Sequence, residues 1–182
     1  MYSVGDKVVY PHHGAGKIMK IEKMDVRGQD REYLTIQILH NDMTVMVPVD
    51  SADRAGLRKV VCADTVEEVL AVLRGHPTKM PKNWSRRYKH NRDKLKTGDI
   101  FEVAEVVRNL AIRLGDKGLS TGEKQMYSKA KKILASEVMY ARDMSEDEAN
   151  EFLDGVLAEV SAQPVLAVDE APLATAEAAP VV

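Results

Sequence analysis

The sequence predicts an α+β protein in two segregated parts: a small antiparallel β-barrel or strongly bent sheet, then a domain of about five helices. Two observations predict it. Over residues 1–62, short runs alternate apolar and polar side chains with the two-residue period of strands, punctuated by Gly, Asn and Asp. From Asp64 the apolar residues recur at three- and four-residue steps, which is the period of amphipathic helices. A chain of 182 residues suits two modest cores better than one.

In the first part, Val8-Val9-Tyr10 reads as a strand, Gly14 and Gly16 as a glycine turn, and Ile18 to Ile21 as a resumed strand. Tyr33 to Leu39 puts Leu34, Ile36 and Ile38 on one face. The connectors Val26 to Asp30 and His40-Asn41-Asp42 are turn-like, so consecutive strands should be antiparallel neighbours. If Val45 and Val47 point inward, Thr44, Met46 and Pro48 share the outward face of a short strand.

In the second part, Asp64 with Glu67 suggests a capping box opening a helix over Thr65 to Arg74, ended by Gly75-His76-Pro77. A second helix runs from Trp84 to Lys96 and stops at Thr97-Gly98. The third, Asp99 to Leu114, carries Ile100, Val103, Ala104, Val107, Leu110, Ala111 and Leu114 as one stripe. Ser120 with Glu123, and Ser145 with Glu148, are further capping boxes opening the last two helices. Residues 161–182 mix Ala, Pro and acids without a period and are expected to be disordered.

The formal net charge of −2 conceals an asymmetry. Lys79, Lys82, Arg86, Arg87, Lys89, Arg92, Lys94 and Lys96 face the lone acid Asp93, whereas acids dominate from Glu137 onward. A basic segment of this kind can carry a polyanion footprint. The single cysteine, Cys62, forms no intramolecular disulfide and reads as a small buried hydrophobe. With no signal-like segment and no long apolar run, the expected home is the cytoplasm, without a membrane.

Catalysis has no visible seat. His12-His13 lack companion ligands at short spacing and would point to opposite faces of a strand, and Gly14-Ala15-Gly16 lacks the helix a phosphate loop needs. No cofactor or metal is expected. The segment Pro81 to Lys89 is more informative, because it holds the only tryptophan at the start of a helix with little else apolar. Trp84 could stack on Tyr88 and close the inter-domain joint, with the charges merely solvated. Alternatively, the cations neutralise phosphates while the indole wedges against or between bases.

These residues resemble a known family. Val4-Gly5-Asp6-Lys7-Val8-Val9-Tyr10-Pro11-His12-His13-Gly14, Val47-Pro48, Gly56-Leu57-Arg58, Asn83-Trp84-Ser85-Arg86-Arg87-Tyr88, Ala104-Glu105-Val106-Val107-Arg108, and Gly118-Leu119-Ser120 with Gly122-Glu123-Lys124 look like the CarD/CdnL family of bacterial transcription regulators. The likeness runs in order from about Val4 to Val160. It implies a Tudor/SH3-like N-terminal domain that docks on the RNA polymerase β subunit by strand addition. It further implies a helical domain touching promoter DNA at the upstream edge of the melting bubble, in holoenzyme with the primary sigma factor, so that the open complex lives longer. The expected DNA-binding residues are Trp84, as a minor-groove wedge, with Arg86, Arg87, Lys89, Arg113 and Lys124. The expected polymerase-binding residues are Met24, Met46 and Pro48; several relatives carry arginines where Met24 and Met46 stand, so this contact should depend less on salt. The expected units are residues 1–62, 63–160 and a tail that lies outside the likeness, in a monomer. The rival expectation is a polymerase-docking scaffold without DNA contact.

Overall fold

The computed structural model describes residues 2–11, 13–26, 28–39 and 43–162. Strands β1 (Lys7–Tyr10), β2 (Gly14–Val26), β3 (Gln29–Ile38), β4 (Thr44–Pro48) and β5 (Arg58–Lys59) form one antiparallel sheet in the order β4-β3-β2-β1-β5. Their antiparallel sense is as expected. The sheet bends around its core but stays open, with β4 and β5 as its edges. Leu34, Ile36 and Ile38 are all fully buried and pack with Val8, Ile18, Val47, Ala52 and Leu57.

Two details depart from the sequence reading. Gly14 opens β2 with φ +88°, but Gly16 lies inside the strand rather than in a turn. A Cβ at Gly16 would stand 2.5 Å from the Gln37 carbonyl oxygen, so glycine is required here for close approach to β3. Beyond it, the register shifts between Ile18 and Lys20, a bulge that bends the long β2–β3 hairpin. That hairpin closes at Gly28, whose amide donates to Asp25 Oδ1 at 2.7 Å. His12, Arg27 and the expected turn His40-Asn41-Asp42 lie outside the described residues.

Five helices follow: α1 (Ala63–Arg74), α2 (Trp84–Thr97), α3 (Ile100–Asp116), α4 (Thr121–Arg142) and α5 (Glu146–Ala162). Helix α3 packs against all four others, and its stripe from Ile100 to Ala111 is buried. Leu114, expected in that stripe, is 44% exposed because it sits near the end of α3 and escapes its neighbours. Asn83 caps α2, Asp99 caps α3, and Ser120 with Glu123 forms the expected capping box on α4. Ser145 and Glu148 exchange the same reciprocal bonds before α5. The expected Asp64–Glu67 box does not form: α1 starts at Ala63 with Cys62 as its uncapped N-cap, and Glu67 pairs with Arg142 instead. Cys62 is exposed, not buried, and its hydrogen bond with Thr65 lowers the thiol pKa. Helix α5 continues through Ala162, two residues into the segment expected to be disordered, and residues 163–182 lie outside the described residues. No described helix is long and apolar enough to cross a membrane.

Strands and helices meet at a polar joint. Glu137 of α4 is 1% exposed, and Arg58 of β5 reaches it with a bidentate pair, NH2 lying 2.9 Å from Oε2. Arg58 also donates to the Gly98 carbonyl at 2.8 and 3.0 Å, and the Val61 amide donates to Glu137 at 3.3 Å. The Ala15 amide donates to Ser136 Oγ at 2.9 Å. Every buried polar group at this joint therefore has a partner, as burial demands.

Candidate nucleic-acid interface and outer sheet face

Pro81 precedes α2 and Asn83 caps it, its side chain accepting from the Arg86 amide at 3.1 Å. These residues place Trp84 on the first turn. Its ring stacks on Tyr88 at 5.5 Å between centroids and 26° between planes, the i to i+4 pairing of a helix face. The indole Nε1 donates to Ser120 Oγ at 2.8 Å, across to the cap of α4. Gly122 of α4 faces this pair, and a Cβ there would make ordinary contact with Tyr88 at 3.5 Å and Trp84 at 3.8 Å. Even so, Trp84 remains 48% exposed. It does stack on Tyr88, but it does not close the joint between strands and helices, which is built around Arg58 and Glu137.

The cations expected around Trp84 divide into two kinds. Arg86, Lys89 and Lys124 are exposed and have no ion-pair partner among the described residues. Arg92 and Lys129 continue this charge along a groove of about 310 Å³ between α2 and α4, floored by Leu95, Met126 and Ile133. Arg87 does not belong with them. It is buried, its Nε donating to Glu123 Oε1 at 2.6 Å and its NH1 to the carbonyls of Pro81 and Lys82 at 3.2 and 2.9 Å. Arg87 thus cannot be the phosphate anchor the sequence suggested. Successive helix residues are rotated by about 100°, so Arg87 joins Asn91 and Leu95 on the inner stripe of α2 while Arg86 faces solvent. Arg113 is set back as well, with its Nε buried and 3.9 Å from the same Glu123 oxygen. Within the basic run, Lys94 is paired with Glu105 at 2.6 Å and Lys96 with Asp93 at 3.6 Å.

Glu123 is the hub. It is 1% exposed, and burial alone would raise its pKa; the bonds from Arg87 and Ser120 outweigh burial and hold the carboxyl below its ordinary range. Sequence reasoning identified Ser120 and Glu123 only as a helix cap. Besides the family likeness of the Gly118–Lys124 segment, the Ser-x-x-Glu spacing is the visible signal, and it says nothing about a tryptophan on another helix.

On the sheet, the register brings the three expected apolar residues to one face. Met46 pairs with Thr35 and Thr35 with Lys20; Pro48 pairs with Tyr33 and Tyr33 with Glu22; Met24 pairs with Arg31. Tyr33 and Arg31 alternate with inward Leu34, so Met24, Met46 and Pro48 share the outward face with Tyr33, which the sequence reading did not single out. Met46 is 45% exposed, and its strand β4 has a free edge among the described residues.

No His, Cys, Asp and Glu grouping among the described residues could hold a metal. His13 stacks on Tyr10 at 5.3 Å, and burial, with the nearby Lys129, lowers its pKa.

Residues 2–61 match the CarD-like/TRCF RID domain, and residues 68–154 match the CarD C-terminal domain. The chain is 34% identical over 152 residues to "Putative transcription factor YdeB" of Bacillus subtilis, spanning 84% of this chain and 99% of that protein. It is also 34% identical over 80 residues to the transcription-repair-coupling factor of Staphylococcus haemolyticus, which is 44% of this chain but 7% of that protein. Among solved structures, the N-terminal domain of Myxococcus xanthus CarD is 34% identical, covering 32% of this chain and 79% of its own, with a TM-score of 0.29. The CdnL N-terminal domain from the same source is 38% identical, covering 34% and 86%, with a TM-score of 0.29. Both parts of the molecule thus match domains of a transcription-associated family. The chain belongs to the CarD/CdnL family.

Proposed function

We propose that this protein is a transcription regulator that bridges RNA polymerase and promoter DNA and stabilises the open complex. The carrying observation is the half-exposed Trp84, pinned at the α2–α4 corner and flanked by Arg86, Lys89 and Lys124, cations with no ion-pair partner among the described residues. Unpaired cations release counterions when they meet phosphates, and a flat apolar ring can unstack a base step in the minor groove. Residues 1–62 supply the polymerase contact, with Met24, Met46 and Pro48 on the outer sheet face meeting the β subunit beside the free edge of β4. Such an edge is able to accept another strand. The likeness of this part to the RID domain and to a transcription-repair-coupling factor supports that docking. Residues 63–160 supply the DNA contact at the upstream edge of the bubble, in holoenzyme with the primary sigma factor. The protein acts as a monomer in the cytoplasm, at the nucleoid, without a cofactor, and residues 161–182 are dispensable.

The test is the lifetime of the open complex in a competitor challenge. An aromatic wedge is worth roughly 1–3 kcal/mol, so Trp84→Ala should shorten the lifetime several-fold to about a hundredfold at unchanged salt slope. The short likeness to coupling factors favours a second reading, a docking scaffold without DNA contact. An unchanged lifetime, with no shift of Trp84 fluorescence on adding promoter complex, would establish that reading instead.

A further inference from the structure

The Trp84 ring has two anchors of different chemistry, and only one is directional. Stacking on Tyr88 leaves the indole free to slide and rotate in its own plane, whereas the hydrogen bond from Nε1 to Ser120 Oγ at 2.8 Å fixes that rotation. The hydroxyl is in turn held in place. Ser120 Oγ lies 2.9 Å from Glu123 Oε2, and a carboxylate can only accept, so the hydroxyl proton points there. Its lone pairs are left to face Trp84 Nε1 and the Glu123 amide at 3.3 Å. One donor and two acceptor sites are thereby all used. Glu123 cannot swing away, because its other oxygen takes Arg87 Nε at 2.6 Å and Ser120 N donates to Oε2 at 3.1 Å. Arg87 is locked by the carbonyls of Pro81 and Lys82, which lie just before Trp84 in the chain. The network closes on itself: Arg87, Glu123, Ser120 and Trp84 join the start of α2 to the start of α4.

We propose that Ser120, oriented by Glu123 and Arg87, is a positioning residue for Trp84, setting the angle at which the indole meets DNA. This rests on the reading of Trp84 as a DNA wedge. A half-exposed ring free to turn would present its edge or its face in many orientations, and only one suits insertion at a base step. Holding that orientation before DNA arrives removes an ordering cost from the complex. The capping box therefore has a second job, beyond satisfying the first amides of α4.

Because Trp84 is the only tryptophan, its emission reports this ring alone. In the free protein, Ser120→Ala should lower the steady-state anisotropy of Trp84, and Ser120→Thr, which keeps a hydroxyl, should restore it. In open-complex lifetime, S120A should cost about two- to tenfold, the weight of one hydrogen bond, and S120T should recover most of it. The decisive arm is a double-mutant cycle with W84F, which keeps a flat ring and lacks the donor. If Ser120 acts through the indole N–H, S120A has little further effect on lifetime in the W84F background. An equal loss in both backgrounds would show that Ser120 serves only as a helix cap and overturns the proposal, as would unchanged anisotropy in S120A. If instead W84A leaves the lifetime untouched, the wedge reading itself falls and takes the role of Ser120 with it. The free-protein anisotropy separates that outcome from a faulty geometry.

Discussion

The outer face of the sheet and the α2–α4 corner, the two proposed contact surfaces, are supported in opposite ways. Met24, Met46 and Pro48 are placed by strand alternation and register. Trp84 is placed by a buried ion pair, a capping box and a stacked tyrosine. On the sheet, contact residues are separable from stability, because the backbone ladder holds the face whatever side chain it bears. At the corner, function and stability share atoms, and a substitution one residue away can change from one effect to the other.

The sharpest way to break this comparison is Arg87→Ala against Arg86→Ala. Removing one partner of a buried pair leaves Glu123 inadequately compensated and costs about 3–5 kcal/mol. Urea denaturation should show that loss for R87A, while R86A stays within roughly 0.5 kcal/mol of the parent. Conversely, R86A should reduce the slope of log affinity for promoter DNA against log salt by about one. Similar denaturation midpoints for the two variants would mean that Arg87 is not buried in solution.

The next test falls on the sheet. Met46→Asp puts a charge into the proposed dry contact and should weaken binding to the polymerase β-subunit lobe by at least about tenfold, roughly 1.4 kcal/mol, with an unchanged melting temperature. Unaltered affinity would remove the outer face from the contact. The parent affinity should also change little with added salt, since Met46 and Pro48 carry no charge.

A smaller effect comes with acid. Glu123 has a folded pKa below its ordinary value of 4.5, so its contribution is fully present above that pH and is lost as the pH falls through the folded value. Asp6, Glu105 and Glu148 are lowered too, so total stability should fall below about pH 4.5 in any case. The discriminating measurement is the difference between parent and Glu123→Gln, which should shrink as the pH drops. A constant difference would mean that Glu123 does not titrate with folding. Smallest of all, truncation after Val160 should leave melting temperature, polymerase binding and open-complex lifetime unchanged; lost lifetime at unchanged melting temperature would make the tail functional.

Much of the fold is legible in the sequence because it depends on local periodicity. Leu34, Ile36 and Ile38 announce an inward face, and Ser120 and Ser145 announce helix starts through hydrogen bonds within three residues. Where a partner lies far along the chain, the reading loses its grip. Glu67 looks like half of a capping box until Arg142 is seen beside it, and Gly16 looks like a turn until Gln37 of β3 is. The glycine spacing cannot show which strand presses close.

The same division runs through the candidate site. Local spacing is enough to show that a lone tryptophan opens a basic helix, that two apolar residues alternate outward on a short strand, and that Ser120 caps α4 with Glu123. The packing of α2 on α4 is what leaves Arg86 without an ion-pair partner among the described residues while burying Arg87, and what lets the cap of α4 hold the tryptophan of α2. Local spacing sets which way a side chain leaves its own helix. Whether a carboxylate waits there depends on how two helices pack, and 36 residues separate Arg87 from Glu123.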